Sequence, residues 1–378
     1  MTMKKTLIAA AVMAIATTAA HADIKIGVSI GLTGPASALG LPMQAQFKNF
    51  PKEIGGQKVE LIILDDATDP GKGANNARRF VSEDKVDLIL GSSTTTVSAA
   101  INEVTAESGT VQLTLSPVGV PPEKEKWIFR LPQSNNIMAI PVVEHMKKNG
   151  VKTVGFMGYT DAYGQQWLDA IKPELDKAGI KLVATERFAR SDTSVTPQAL
   201  KISSANPDAV LLVASGAGAA LPQIAMVDRG YKGKVYQTHA AASPAFLKPA
   251  GKAAEGAYVV SGPAPVADQL TDSHPSKPVA LAFAKQIAAI DPALSRNPFA
   301  AHAYDAQLVV TKVLPMALKK AKPGTPEFRA AIRDTMEGMG RTVLSHGVMN
   351  WSATDHWGYT PETGVLLQVK DGAFKIVQ

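Results

Sequence analysis

Val86-Asp87-Leu88-Ile89-Leu90-Gly91-Ser92-Ser93-Thr94-Thr95-Thr96 is the stretch that decides the fold. Residues 86–90 form a short apolar run of the kind that is buried on both faces of a parallel sheet. A glycine and five hydroxyl residues follow, and 96–107 then carries helical periodicity. Residues 111–115 begin the next apolar run. Strand, polar loop, helix and strand in that order are the unit of a parallel sheet covered by helices.

The alternation continues on both sides of this unit. Residues 24–30 and 59–64 read as strands, the second ending in Asp65-Asp66. A helix over 73–82 follows the start signal Asp69-Pro70. The stretch after Gly40 reads poorly: Pro42 can start a helix, but Pro51 interrupts it. After Arg130 the pattern restarts. A helix ends at Gly150, and strands are predicted over 153–157, 180–185, 209–213 and 235–237. Helices over 163–178, stopped by Gly179, and over 219–229 lie between them. Long helices are predicted over 280–289, 300–319 and 326–339. A final hairpin, 365–369 with 374–377, turns at Asp371-Gly372. Two series of strands, before and after about residue 134, predict an α/β protein with two parallel-sheet lobes. Leu131-Pro132-Gln133 and Ser261-Gly262-Pro263 are candidate crossings between them.

The first 22 residues read as a cleavable secretory leader. Lys4 and Lys5 precede an apolar run, and Ala20-His21-Ala22 offers small residues at the cleavage positions. Removing these 22 of 378 residues leaves 356, enough for two domains. The expected compartment is a Gram-negative periplasm. Cysteine is absent, which excludes disulfides, thiolate metal sites and cysteine nucleophiles. The formal charge of +6 falls to about +4 without Lys4 and Lys5. Basic and acidic residues are interspersed, so nucleic acid is not an expected partner. No later segment approaches eighteen apolar residues, so no membrane span is expected.

In open parallel sheets ligands sit beyond the carboxyl ends of the strands. Three loops there stand out. Residues 91–96 combine helix-start N–H groups with hydroxyls, a neutral anion site; the same pattern also reads as an ordinary helix cap. Leu115-Ser116-Pro117 ends the next strand and faces the same crevice. Tyr159-Thr160-Asp161-Ala162-Tyr163-Gly164 follows strand 153–157, with Asp161 reading equally as an N-cap.

The chain resembles the type I periplasmic solute-binding proteins of the branched-chain amino acid transporter family. The matching pieces run in order: Ile26-Gly27 through Leu32-Thr33-Gly34-Pro35, Asp65 to Pro70, Gly91 to Thr96, Asp161-Ala162-Tyr163-Gly164, and Ala303-Tyr304-Asp305-Ala306. The resemblance implies two Rossmann-like lobes joined by three hinge crossings. It implies a first lobe of 23–134 plus 266–350 and a second of 135–265 plus 351–378. It also implies a receptor that delivers solute to the transmembrane subunits of an ABC permease. The chain is expected to be a monomer, not an enzyme, with no cofactor and no metal; its six histidines outside the leader lack metal-ligand spacing.

Carried over by the resemblance, the loop hydroxyl for a ligand carboxylate falls on Thr95, with Ser93 and Thr94 beside it. The next strand-end contact falls on Ser116, with Val118 two residues on. The second-lobe aromatic falls on Tyr163, and side-chain walls on Leu39 and Phe299. Two positions depart from the family. A tyrosine is replaced by the small loop Ala214-Ser215-Gly216-Ala217, expected to free volume for a ring. The acidic residue that holds an amino acid's ammonium is replaced by His239. A buried ammonium needs anionic or several neutral acceptors, and neutral histidine supplies one. The expected ligand is therefore a small carboxylate, with an aromatic acid such as a benzoate or cinnamate derivative as the lead. Asp161 could still serve an amine, which keeps a branched-chain or other amino acid as the alternative. Gly27-Val28-Ser29-Ile30-Gly31 matches the literal nucleophile pattern of α/β-hydrolases, so a secreted hydrolase is the remote alternative. That elbow would belong after several strands, not in the first.

Overall fold

The computed structural model describes residues 23–377, so the leader reading lies outside the described residues. Strand β1 (Ile24–Ile30) places Ile24, Ile26, Val28 and Ile30 in the first core. Helix α1 (Ser37–Phe47) follows, then β2 (Glu53–Ile54), β3 (Gln57–Asp65), α2 (Pro70–Arg79) and β4 (Leu88–Gly91). Helix α3 (Thr95–Ser108), β5 (Val111–Thr114) and β6 (Ile128–Arg130) complete this sheet, whose order is β2-β3-β1-β4-β5-β6. All its pairings are parallel except the edge strand β2.

Helix α1 differs from the sequence reading: it starts at Ser37 and runs through Pro42. Leu39, Met43 and Phe47, four residues apart, all bury in the first core. That burial outweighs the one backbone hydrogen bond that proline removes. Strand β6 is short and was not legible as a periodic run.

The second lobe repeats the plan. Helix α4 (Asn135–Lys148), β7 (Thr153–Tyr159), α5 (Ala162–Ala178), β8 (Lys181–Phe188), α6 (Thr196–Ala205) and β9 (Ala209–Val213) come first. Then follow α7 (Ala220–Asp228), β10 (Lys234–Gln237), α8 (Pro244–Ala250) and β11 (Tyr258–Ser261). Helices α9 (Ser276–Ala288), α10 (Pro298–Ala317) and α11 (Pro326–Glu337) and the hairpin β12 (Thr342–Leu344) with β13 (Gly347–Met349) lead to β14 (Val365–Lys370) and β15 (Ala373–Ile376). The second sheet runs β15-β14-β11-β10-β9-β7-β8, parallel apart from the terminal hairpin β14–β15. In each lobe the first strand lies between the next two parallel strands, β1 between β3 and β4 and β7 between β8 and β9. The strand order reverses there, and the loops at that point open a crevice.

Two large cores follow, with two smaller apolar clusters beside them. The first holds β1, β3–β6, α1 and the inner faces of α10 and α11; the second holds α4, α5, β7, β9 and β11. Trp351 and Tyr359 pack in the first core, Trp351 edge-on to Phe129 at 5.1 Å. The sequence reading assigned 351–378 to the second lobe. We propose instead that the last crossing lies between Tyr359 and Val365. The earlier crossings meet each other: Gln133 donates to the His346 carbonyl at 2.7 Å, and Gly262 lies against both Gln133 and His346.

Candidate functional site

The loops beyond the strand ends line a cavity between the lobes, with about 380 Å³ of empty space counting the open solvent at its mouth. From the first lobe it is lined by Leu39, Ser93, Thr94, Thr95, Leu115, Ser116, Pro117, Phe299 and His302. From the crossing and second lobe come Pro132, Tyr163, Arg190, Ser215, His239 and Ala240.

Helix α3 opens this cavity without a side-chain cap, so its first N–H groups stay available. The neighbouring hydroxyls differ in what they can still do. Ser93 Oγ accepts from Gly31 N–H at 3.2 Å, so its own proton is free. Thr94 Oγ1 is buried and has no partner. Thr95 Oγ1 donates to the Pro117 carbonyl at 2.8 Å and keeps only acceptor capacity. Ser116 is held from behind by Ser98, 2.7 Å away. Ser98 in turn receives Ser92 N–H at 2.8 Å and touches Thr114 at 2.8 Å. This buried hydroxyl network fixes the loop, while two free O–H groups and the helix start point a positive potential into the cavity.

The opposite wall is aromatic and cationic. Tyr163 donates to Thr238 Oγ1 at 2.8 Å, and burial pushes its phenol well above the ordinary range. Arg190 sits over Tyr159, its guanidinium carbon 4.1 Å from the ring centre. Its Nε donates to Asp161 at 2.5 Å and its Nη1 to Ser215 Oγ at 2.8 Å, leaving further N–H groups uncommitted. Asp161 also caps α5 through Gly164 N–H.

His239 stands at the end of β10 with neither ring nitrogen paired. Burial, with a smaller contribution from His346, pushes its pKa down from 6.5 to about 3, so the ring is neutral at pH 7. His302 also has an unpartnered Nδ1, and burial lowers its pKa well below the usual range. His302 stacks on His346 at 3.8 Å and 16°, and His346 pairs with Asp305 at 3.2 Å. These three residues come close enough for metal ligation. Asp305, however, already receives Ser345 N–H and His346 N–H as well as the ring. Parallel stacked imidazoles also cannot converge their in-plane lone pairs on one ion. The group reads as a hydrogen-bonded support for the cavity wall.

The chain matches the periplasmic binding protein family over residues 23–373. It belongs to that family, in the type I, branched-chain amino acid branch. Among curated relatives, a Leu/Ile/Val-binding protein homologue from Brucella melitensis is 30% identical over 204 residues, covering 51% of this chain and 54% of the relative. The chain thus spans about half the length of that relative. An extracellular ligand-binding receptor from Rhodopseudomonas palustris HaA2 is 44% identical, with a TM-score of 0.92 over 94% of this chain and all of that one. An R. palustris solute-binding protein solved with benzoate shares the fold at 17% identity and a TM-score of 0.78, covering 94% of this chain and 96% of that one.

Within this periplasmic binding protein, Leu39, Ser93, Thr94, Thr95, Ser116, Tyr163, Ser215, His239 and Phe299 line one cavity. Val118 and Asp161 do not line it. Val118 is fully buried, and its carbonyl accepts from Arg130 Nε at 2.8 Å. The small loop after β9 does not free volume either: a Cβ on Gly216 would sit 3.0 Å from Leu39 and 3.4 Å from Ala38. The first lobe's α1 occupies that space. Ser29 is fully buried in β1, bonded to Asp66 and Asn76, with no strand-to-helix elbow. Arg190 and His302 were missed. His302 follows Phe299 by three residues on α10, a spacing that could have revealed it.

Proposed function

We propose that this receptor binds a small carboxylate that carries no ammonium group, between two lobes that close on it, with an aromatic acid such as a benzoate or cinnamate derivative as the lead. One observation carries this reading: among the described residues lining the cavity there is no Asp or Glu. Asp161, the nearest candidate, is committed to Arg190 and the α5 cap. A buried ammonium would therefore lack an anionic acceptor. A carboxylate, by contrast, meets the start of α3, Ser93 and Thr94. Neutral His239 can donate one hydrogen bond. Leu39, Tyr163 and Phe299 supply apolar surface for a ring. The fold also accommodates such a ligand in the benzoate-bound R. palustris protein.

The proposed setting is the periplasm, with the leader removed. The protein acts as a monomer, and its closed form docks on ABC permease subunits. No catalytic step is assigned. The second reading, a branched-chain or other amino acid receptor, is favoured by the names of the curated relatives. It would require Asp161 to release Arg190.

A thermal-shift screen of ligand-free protein separates the two. Ligand at about 100 times Kd adds about 2.7 kcal/mol of stability. Shifts with benzoate, 4-hydroxybenzoate, phenylacetate or cinnamate, and none with leucine or valine, are expected. Shifts with leucine or valine alone would overturn the proposal.

A further inference from the structure

At the rim of the cavity, Gly119 and Gln166 make a reciprocal contact between the lobes. Gly119 N–H, in the loop after β5 of the first lobe, donates to Gln166 Oε1 at 3.2 Å. Gln166 Nε2 donates back to the Gly119 carbonyl at 3.3 Å. A side-chain amide presents one donor and one acceptor, as a peptide unit does, so a single Gln satisfies both backbone groups of Gly119. Gln166 follows Tyr163 by three residues and shares its face of α5. The approach that brings Tyr163 onto the cavity therefore brings Gln166 to its rim. When the lobes part, both groups face water and pair with it instead. The latch therefore contributes a small bias to a reversible closure.

We propose that Gln166 is a positioning residue that latches the lobes through the Gly119 backbone and slows ligand release without touching the ligand. This rests on the lobe closure in the function proposed above, not on the ligand's chemistry.

The chain lacks cysteine, so a spin-label pair at Lys72→Cys and Lys232→Cys, both exposed sites on different lobes, reports the closed and open populations cleanly. Gln166→Met keeps side-chain length and loses both hydrogen bonds. Two exposed neutral hydrogen bonds predict a roughly five- to tenfold rise in the open-to-closed ratio. The dissociation rate of 4-hydroxybenzoate should rise by the same factor, with the association rate within about twofold of wild type. The order of preference among acids should not change. Gly119→Ala is the control. Its Cβ would meet Gln166 no closer than 3.8 Å, and the backbone pair survives, so it should behave as wild type. Populations in Gln166→Met within twofold of wild type would overturn the proposal, as would an altered preference among acids. If wild type binds none of the acids, the ligand reading fails. The open-to-closed ratio of ligand-free protein still decides the latch.

Discussion

Arg190 and Asp161 form a partly buried ion pair at 2.5 Å, which commits the carboxylate nearest the cavity. It removes the carboxylate that an ammonium would need, and it leaves a guanidinium with spare N–H groups at the cavity wall. The charges cancel at long range, so the cavity is not a strong cation; the directional donors remain.

Asp161→Asn should keep the cap on α5, since Asn caps as well as Asp. It should cost about 1–3 kcal/mol of stability through the lost ion pair. Arg190 would then be uncompensated, so affinity for an aromatic carboxylate should hold or rise. Titration calorimetry checks this; a drop of more than tenfold would mean that Asp161 contacts the ligand.

Thr94 Oγ1 is buried and unpartnered, so its removal leaves nothing else unsatisfied. Thr94→Ala should leave the melting temperature of ligand-free protein nearly unchanged. Loss of a hydrogen bond to a charged ligand should weaken binding roughly 10- to 100-fold. Affinity within threefold of wild type would move the carboxylate elsewhere, with Arg190 as the next place to look.

The neutral state of His239 has a pH signature. Its pKa is about 3 in the folded chain against 6.5 in the unfolded one. Below about pH 6.5 the unfolded state takes up a proton that the native state refuses. Stability is therefore full above 6.5 and falls as pH drops toward 3. The loss per pH unit is at most about 1.4 kcal/mol for this ring. His239→Gln should decline less steeply between pH 6.5 and 4 in denaturant titrations, and an unchanged acid limb would contradict the assignment. Because the ring does not titrate there, ligand affinity should be flat from pH 5.5 to 8.

Gly216 adopts φ +51°, and its missing side chain lets α1 approach. Gly216→Val should strain the backbone and wedge the lobes apart. Binding should weaken at least tenfold while the second-lobe core, probed by Trp167 fluorescence, stays folded. Retained affinity would show that α1 can yield.

The loop at 91–96 was legible as a strand-to-helix turn because its pattern is local: a strand end, a run of hydroxyls and a helix start lie next to one another in sequence. Tyr163, His239, Leu39 and Phe299 were placed only through the family resemblance, since no local pattern joins them. Arg190 sits in Ala189-Arg190-Ser191-Asp192, which reads as a solvated loop. Its role appears only when β8 packs beside β7 and the guanidinium folds over Tyr159. The partner of Asp161 was hidden for the same reason. Helix α1 was obscured by Pro42, whose local preference loses to burial of its neighbours. Strands β6 and β11 are too short to show a period. Trp351 and Tyr359, given to the second lobe by the resemblance, pack in the first core, Trp351 against Phe129.

The most direct test of the ligand class is a calorimetric titration of ligand-free protein with 3-phenylpropionate and with phenylalanine, which differ only by the α-ammonium group. A cavity without an anionic acceptor should bind the acid at least about 100-fold more tightly, the scale set by burying an unpaired polar group. Equal or tighter binding of phenylalanine would contradict the account and return Asp161 to the ligand.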